Sequence, residues 1–201
     1  MKNETKILKP VEGKRFLIEY FTVTKEDVER VQLRDMIKGT AEYEDFHSGK
    51  YVRLRDKTIS ENLGVIMSNT PMELKTNQEF IDKANGDVLI AGLGLGLVLL
   101  AIQDKQNIKT ITVIEKEQEI IDLVKPQLPL NDKVMIIKAD IFNWTTDKKF
   151  DTIYFDIWNN ICGDNYPEMV KLHRKFKWKL NRNNPNCFMD SWRRDDCKRL
   201  N

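Results

Sequence analysis

The sequence predicts an α/β protein built on an open, doubly wound, mainly parallel sheet, with a smaller β-rich segment in front of it. Three observations lead there. From about residue 86 onward, short runs that are apolar throughout, such as VLIA at 88–91 and TITVI at 110–114, alternate with stretches of helical periodicity. Strands apolar on both faces belong to parallel sheets covered by helices on both sides. The first of these runs leads straight into glycines at alternate positions, Gly92, Gly94 and Gly96. Finally, the first eighty or so residues have a different rhythm, with alternating runs bounded by turn signals.

Each element follows in order. Residues 15–23, RFLIEYFTV, read as a strand. TKED at 24–27 has the Thr-x-x-acid form of a helix start, and the helix continues to about residue 38 with Val28, Val31, Met36 and Ile37 on a loose apolar stripe. Gly39 is expected to end it. YVRLR at 51–55 alternates as a half-buried strand does, after the turn-like HSGK, and residues 63–67 form another short strand closed by SNTP. Residues 1–84 are thus expected to be a lid or hairpin segment of α+β character. The second segment, 85–201, opens with the strand 88–91 and the helix 97–103. Then come the strand 110–114, the helix 117–124 limited by Pro126, and the strands 133–138 and 150–155. A helix over 167–180, with Met169, Leu172, Phe176 and Leu180 on one face, leads to a fifth strand at 187–189. The expected order of these five strands is 3-2-1-4-5, with little chain after the last.

Composition excludes several classes. The chain has 201 residues and a formal net charge of +2, so it is no polyelectrolyte. The apolar run 88–102 is shorter than the roughly 18 residues of a spanning helix, so no membrane segment is expected. MKNETKILKP at the N-terminus carries charges throughout and has no apolar signal core. Cys162, Cys187 and Cys197 are odd in number and form no Cys-x-x-Cys pair, which predicts reduced thiols in a cytoplasmic protein. His47 and His173 are too few for a histidine-rich metal centre, so no metal is expected. From Lys171 onward, ten Lys/Arg face three Asp, a basic surplus of seven in a chain whose remainder is acidic by five.

The glycines carry the functional reading. In a doubly wound sheet, ligands bind beyond the carboxyl ends of the strands where the winding reverses. The exit of the first strand is such a place, and glycine leaves no Cβ between backbone and ligand. The dinucleotide fingerprint is Gly-x-Gly-x-x-Gly, whereas this loop reads Gly-x-Gly-x-Gly with Leu97 in the third fingerprint position. No Lys, Arg, Ser or Thr lies between Ala91 and Ile102 to assist a phosphate at the helix N-terminus. A neutral or cationic nucleoside fits better.

Here the chain resembles the class I S-adenosylmethionine-dependent methyltransferases, and within them the spermidine-synthase-like branch. The resemblance covers residues 64–192 and rests most on the Gly-x-Gly-x-Gly loop, VIEKE and FDTIYFDIW. It implies a Rossmann-like fold and S-adenosylmethionine, or its decarboxylated form, as cofactor. It also implies that Gly92, Leu93, Gly94 and Gly96 pass under the methionine part and that Glu115 accepts from both ribose hydroxyls. Lys116 would line the adenine side, Asp140 would take the adenine amino group, and Ile141 would offer the ring an apolar face. The acid that often precedes the first glycine is absent, Ala91 standing there, as is common in the spermidine-synthase branch.

The chemistry is expected at the exit of the fourth strand. Asp156 is the leading catalytic candidate and a second contact to the cofactor: a carboxylate there can orient an amine or hydroxyl nucleophile and accept its proton, with Trp158 excluding water. Glu73 matches an acid over the substrate cleft of the branch, and Ser68 and Thr70 would add hydrogen bonds to the substrate. The glutamine of true aminopropyltransferases is replaced by Met67, and their Tyr-His pair after the acid has no counterpart. The loop DIWN after the fourth strand is not that of amino-methylating DNA enzymes, and Ile161-Cys162 is not the Pro-Cys of cytosine-C5 enzymes. Cys162 reads as a small buried residue, Tyr154 as part of the sheet's packing and His173 as a surface helix residue. The basic segment 171–182 leaves nucleic acid as a disfavoured partner, its outer face more simply a solvated one. The sequence therefore supports a methyltransferase acting on a small-molecule acceptor. An aminopropyltransferase and a non-catalytic cofactor-binding regulator are alternatives, and a homodimer remains open.

Overall fold

The computed structural model describes residues 8–38, 46–60 and 63–201. Gly39, expected to end the first helix, lies outside these residues. The elements in chain order are strands β1 (Val11–Glu12) and β2 (Phe16–Val23), helix α1 (Lys25–Lys38), strands β3 (Gly49–Asp56) and β4 (Val65–Ser68), and helices α2 (Pro71–Thr76) and α3 (Gln78–Lys83). Then follow β5 (Gly86–Ala91), α4 (Leu97–Gln103), β6 (Ile108–Glu115), α5 (Gln118–Val124), β7 (Val134–Lys138), β8 (Thr152–Phe155), α6 (Asn165–Phe176), β9 (Phe188–Ser191) and α7 (Arg194–Leu200).

The second half is the expected doubly wound sheet. Its order is β7-β6-β5-β8-β9, all neighbours parallel, which is 3-2-1-4-5 counted within this half. Alternation along β5 shows why the run had to be apolar on both sides. Val88 and Ile90 join one buried cluster with Ile111, Val113 and the side chains of α4, while Leu89 and Ala91 join another with Ile153, Phe155, Leu172 and Phe176 beneath α6. Burying a side chain of this size contributes about 1.5–3 kcal/mol.

The first half forms a four-stranded antiparallel sheet, β1-β2-β3-β4. It shares the core of the larger sheet: Phe16, Ile18, Val52, Leu54 and Met67 lie in the same cluster as Val88 and Ile90. A second tie is polar. The backbone N–H groups of Arg15 and Phe16 donate to the Glu119 carboxylate at 2.9 and 3.2 Å, docking the start of β2 on α5. Register fixes the exit of β4. Pairing runs Arg53↔Ser68, Leu54↔Met67 and then Arg55↔Val65, so Ile66 is an extra residue in a β-bulge. A bulge breaks strict alternation and re-aims side chains.

Several local expectations are corrected. The segment after β4 was expected as a turn, yet Pro71 begins a helix, because proline at the first helical position is pre-set in φ and needs no N–H donor there. Helices α2, α3 and α7, six, six and seven residues long, were not expected. The helix α6 stops at Phe176 rather than 180, since Lys179 and Leu180 turn back to the Phe176 carbonyl. His173 is half-buried rather than exposed: its Nε2 lies 2.9 Å from Ser191 Oγ and its ring packs on Phe155. Burial, and then the nearby Arg194 charge, push its pKa down to about 4. Cys162 is half-buried rather than buried, and all three cysteines are free thiols. No helix among the described residues is long and apolar enough to cross a membrane.

Tyr154 ties the sheet to the helices that follow β4. Its ring stacks on Phe80 at 4.2 Å between centroids, and its hydroxyl donates to Asn77 Oδ1 at 2.8 Å inside the core. Removing the hydroxyl by Tyr154→Phe leaves a buried acceptor unsatisfied. The expected loss is about 1–2 kcal/mol of unfolding free energy in urea, with the slope of the transition unchanged.

Candidate active site

One cavity of about 460 Å³ opens at the carboxyl ends of β5, β6, β7 and β8. This is where the winding reverses, between β5 and β8. The backbone seals that junction: Asp156 N–H donates to the Ala91 carbonyl at 2.8 Å, and Gly92 N–H to the Ile114 carbonyl at 2.9 Å. Gly92 has a φ of +99°, and a Cβ there would stand 2.0 Å from the carbonyl oxygen of Asp156. So the bare face of Gly92 first serves the close approach of two chain segments. Gly94, at φ +50°, faces the Met67 side chain instead.

Of the residues singled out in the sequence, Gly92, Gly94, Glu115, Lys116, Asp140, Ile141, Asp156 and Trp158 all line this cavity. The rest are placed elsewhere. Gly96 does not reach it; in the left-handed conformation it caps α4, its bare face against Leu128. The Leu93 side chain is buried in the core, and only its backbone N–H serves the site. Ser68, Thr70 and Glu73 are not on the cavity wall. Their polar groups are spent on one another: Ser68 Oγ lies 3.1 Å from Thr70 Oγ1, and Glu73 Oε1 accepts the Ser68 N–H at 3.2 Å.

Glu115 is anchored by the backbone. It is buried, with one carboxylate oxygen accepting the Leu93 N–H at 2.9 Å and the other the Glu117 N–H at 2.8 Å. Burial raises its pKa, and those amide donors oppose the rise. Each oxygen keeps a second lone pair, and the residue lines the cavity. Asp140 is held similarly by the Phe142 N–H at 2.9 Å, while Lys116 Nζ sits 3.4 Å from its other oxygen. Buried Ile141 supplies an apolar wall beside it.

Asp156, on the cavity wall, is coupled electrostatically to Glu73, which is off it. Burial, together with the neighbouring Glu73 charge, pushes the Asp156 carboxyl up to about 8. Burial likewise raises Glu73 to about 7, against the stabilising Ser68 bonds. The two acids are thus close enough to feel each other although only Asp156 borders the open space. Trp158 Nε1 donates to Glu168 Oε2 at 2.9 Å, bracing the wall with the first turn of α6.

The sequence reading missed the wall contributed by the antiparallel sheet. Arg15, Phe16, Asp56, Ile59, Ile66 and Met67 all face the cavity. Arg15 bridges Asp56 at 2.7 Å and Glu117 at 3.4 Å, linking the two sheets across the opening. Ile66 and Met67, though consecutive, both line it, as the bulge in β4 allows. The lid reading of residues 1–84 anticipates a cover here, but no strand pattern announces a one-residue register shift, so the lining residues of this wall could not be named from the sequence.

The basic segment 171–182 is partly consumed within the fold. Lys175 Nζ donates to the carbonyls of Ile141 and Phe142 at 3.0 and 2.7 Å, and Lys179 pairs with Asp147 at 3.7 Å. Among the described residues, no group of three or more His, Cys, Asp or Glu side chains is arranged to hold a metal.

No known protein-family profile matches the chain. No curated protein matches it either. Several solved structures do. A complex of DhpI with SAH has 18% identity and a TM-score of 0.42 over 59% of this chain and 58% of that one. The precorrin 8W decarboxylase of Methanobacterium thermoautotrophicum has 19% identity and a TM-score of 0.43, over 60% and 63% of the two chains. The N-methyltransferase NodS of Bradyrhizobium japonicum WM9, in complex with S-adenosyl-L-homocysteine, has 18% identity and a TM-score of 0.36, over 42% and 44%. The chain spans less than two thirds of each of these proteins.

The position of Asp156 has a measurable consequence for stability. An acid whose folded pKa, about 8, lies above its ordinary 3.8 binds its proton more tightly in the folded state. The folded state is therefore penalised progressively as pH rises from about 4, and fully above about 8. Asp156→Asn removes the penalty. Its melting temperature is expected to exceed the wild-type value by several degrees at pH 9, and the gain should vanish by pH 4.

Proposed function

We propose that the protein is an S-adenosylmethionine-dependent transferase that moves a methyl group to the amine or hydroxyl of a small-molecule acceptor. The observation that carries this reading is Glu115: a buried carboxylate held by the backbone amides of Leu93 and Glu117 that lines a cavity also lined by Gly92 and Gly94. That arrangement suits a vicinal diol on a ribose, each hydroxyl donating to one oxygen in a charge-assisted bond. Asp140 and Ile141 then offer an acceptor and an apolar face to a purine. The absence of a Cβ at Gly94 gives the amino-acid end a path along the loop once the Met67 side chain that covers this glycine moves.

The cofactor, when bound, supplies an electrophilic carbon on a positively charged sulfur. The chain's own part is alignment, water exclusion and proton removal. Asp156, with a pKa of about 8, is suited to take the acceptor's proton near neutral pH, as general bases work best close to ambient pH. Trp158, braced by Glu168, screens that end from water. Residues 1–84 act in this reading as the cover over the binding domain of 85–201. Three free thiols support a reducing, cytoplasmic setting.

A second reading is favoured by charge. Six carboxyl groups line the cavity, those of Asp56, Glu115, Glu117, Asp140, Asp156 and Glu168, against the two basic side chains Arg15 and Lys116. Such a lining prefers the decarboxylated cofactor, which carries an extra net positive charge, and with it aminopropyl transfer. The spermidine-synthase-like assignment stands or falls with that preference.

Titration calorimetry with S-adenosylmethionine, its decarboxylated analogue and NAD, run in parallel, tests the reading. Binding of a sulfonium nucleoside without NAD binding is expected, and preference for NAD contradicts it. Glu115→Gln should weaken that binding by roughly tenfold to a hundredfold, the range of a hydrogen bond to a charged group. Asp156→Asn should retain binding and lose about 10²–10⁴ in turnover. Wild-type turnover should rise with pH through about 8, the point at which Asp156 sheds its proton. Binding with no turnover in either protein would favour a non-catalytic regulator.

A further inference from the structure

The three loop glycines differ in what covers them. At Gly92 the cover is backbone, the Asp156 carbonyl oxygen, and at Gly96 it is Leu128, a branched side chain of the core. Neither can leave without unmaking the fold. At Gly94 the three nearest atoms to a built Cβ are Sδ, Cε and Cγ of Met67, at 2.6, 3.0 and 3.8 Å. Met67 thus lies on the bare backbone with the far end of an unbranched side chain, which has three rotatable bonds and repacks readily.

The same sulfur also holds a backbone donor. Leu95 N–H, buried in the turn that leads to α4, donates to Met67 Sδ at 3.3 Å. A thioether is a weak acceptor. An oxygen acceptor in that place makes a stronger bond, and a buried amide gains by the exchange. Met67 faces the cavity from its regular pairing with Leu54, and the bulge turns its neighbour Ile66 to the same side.

We propose that Met67 is a displaceable cover on the binding loop, a determinant of affinity that keeps the Leu95 donor satisfied until an S-adenosyl ligand takes its place. The ligand's amino-acid end then lies on Gly94, and one of its oxygens accepts the Leu95 N–H. Met67 swings aside into the cavity between the two sheets. This rests on the reading of the cavity as an S-adenosyl site, and it has a consequence opposite in sign to that of an ordinary wall contact. Truncating a contact weakens binding, whereas truncating a cover strengthens it, because the ligand no longer has to displace anything.

The test uses S-adenosylhomocysteine, which carries the same amino-acid end and no transferable group. Met67→Ala should bind it about three- to tenfold more tightly than wild type, the equivalent of one net hydrogen bond. In wild-type protein labelled at the methionine methyl carbons, the Met67 signal, identified by its absence in Met67→Leu, should move on saturation together with the Leu95 amide resonance. Should Met67→Ala fail to fold, the wild-type spectra decide alone. Weaker binding by a folded Met67→Ala, or a Met67 methyl signal unmoved at saturation, overturns the proposal. If wild type binds no S-adenosylhomocysteine at all, the reading of the cavity falls first and the role of Met67 with it.

Discussion

The site depends on one carboxylate fixed at the end of the central strand pair. Glu115 closes β6, and its two oxygens take the amide of Leu93 in the glycine loop and the amide of Glu117 at the start of α5. These bonds join three segments that would otherwise be free to drift: the exit of β5, the exit of β6 and the next helix. Amide donors offset part of the cost of burying this carboxylate, although burial still raises its pKa. The residue also lines the cavity, so the group that organises the loop is placed where a ligand could reach it.

Around that anchor, the two sheets divide the work. The parallel sheet supplies the floor and the titrating acids, each at a strand's carboxyl end. The antiparallel sheet supplies a roof, clamped by Glu119 on the amides of Arg15 and Phe16 and by Arg15 between Asp56 and Glu117. The roof brings in Arg15, Asp56 and apolar side chains, and the other five carboxyl groups on the cavity wall, those of Glu115, Glu117, Asp140, Asp156 and Glu168, come from the parallel half.

The parallel half of the fold was legible in the sequence because fully apolar strands of four to six residues admit few alternatives. Strand order followed, and so did the cavity's place at the exits of β5 and β8, with Glu115, Asp140 and Asp156 around it. What could not be read were features set by tertiary contact. The bulge at Ile66 is one residue of register, invisible to periodicity. The glycines looked equivalent, but Gly96 packs on Leu128 and Gly92 on a carbonyl, so only packing separates their roles. Ser68, Thr70 and Glu73 carried the right chemistry for substrate contacts and instead bond one another. His173 was misread as exposed because Ser191, its partner, lies on a strand eighteen residues further along the chain.

The most direct measurement is a crystal structure grown with S-adenosylhomocysteine. The account predicts density in the cavity with both ribose hydroxyls on Glu115, the Leu93 and Glu117 amides still bonded to the same carboxylate, and the purine against Ile141. A ligand bound at another place, or Glu115 turned away from the sugar toward solvent, would contradict it.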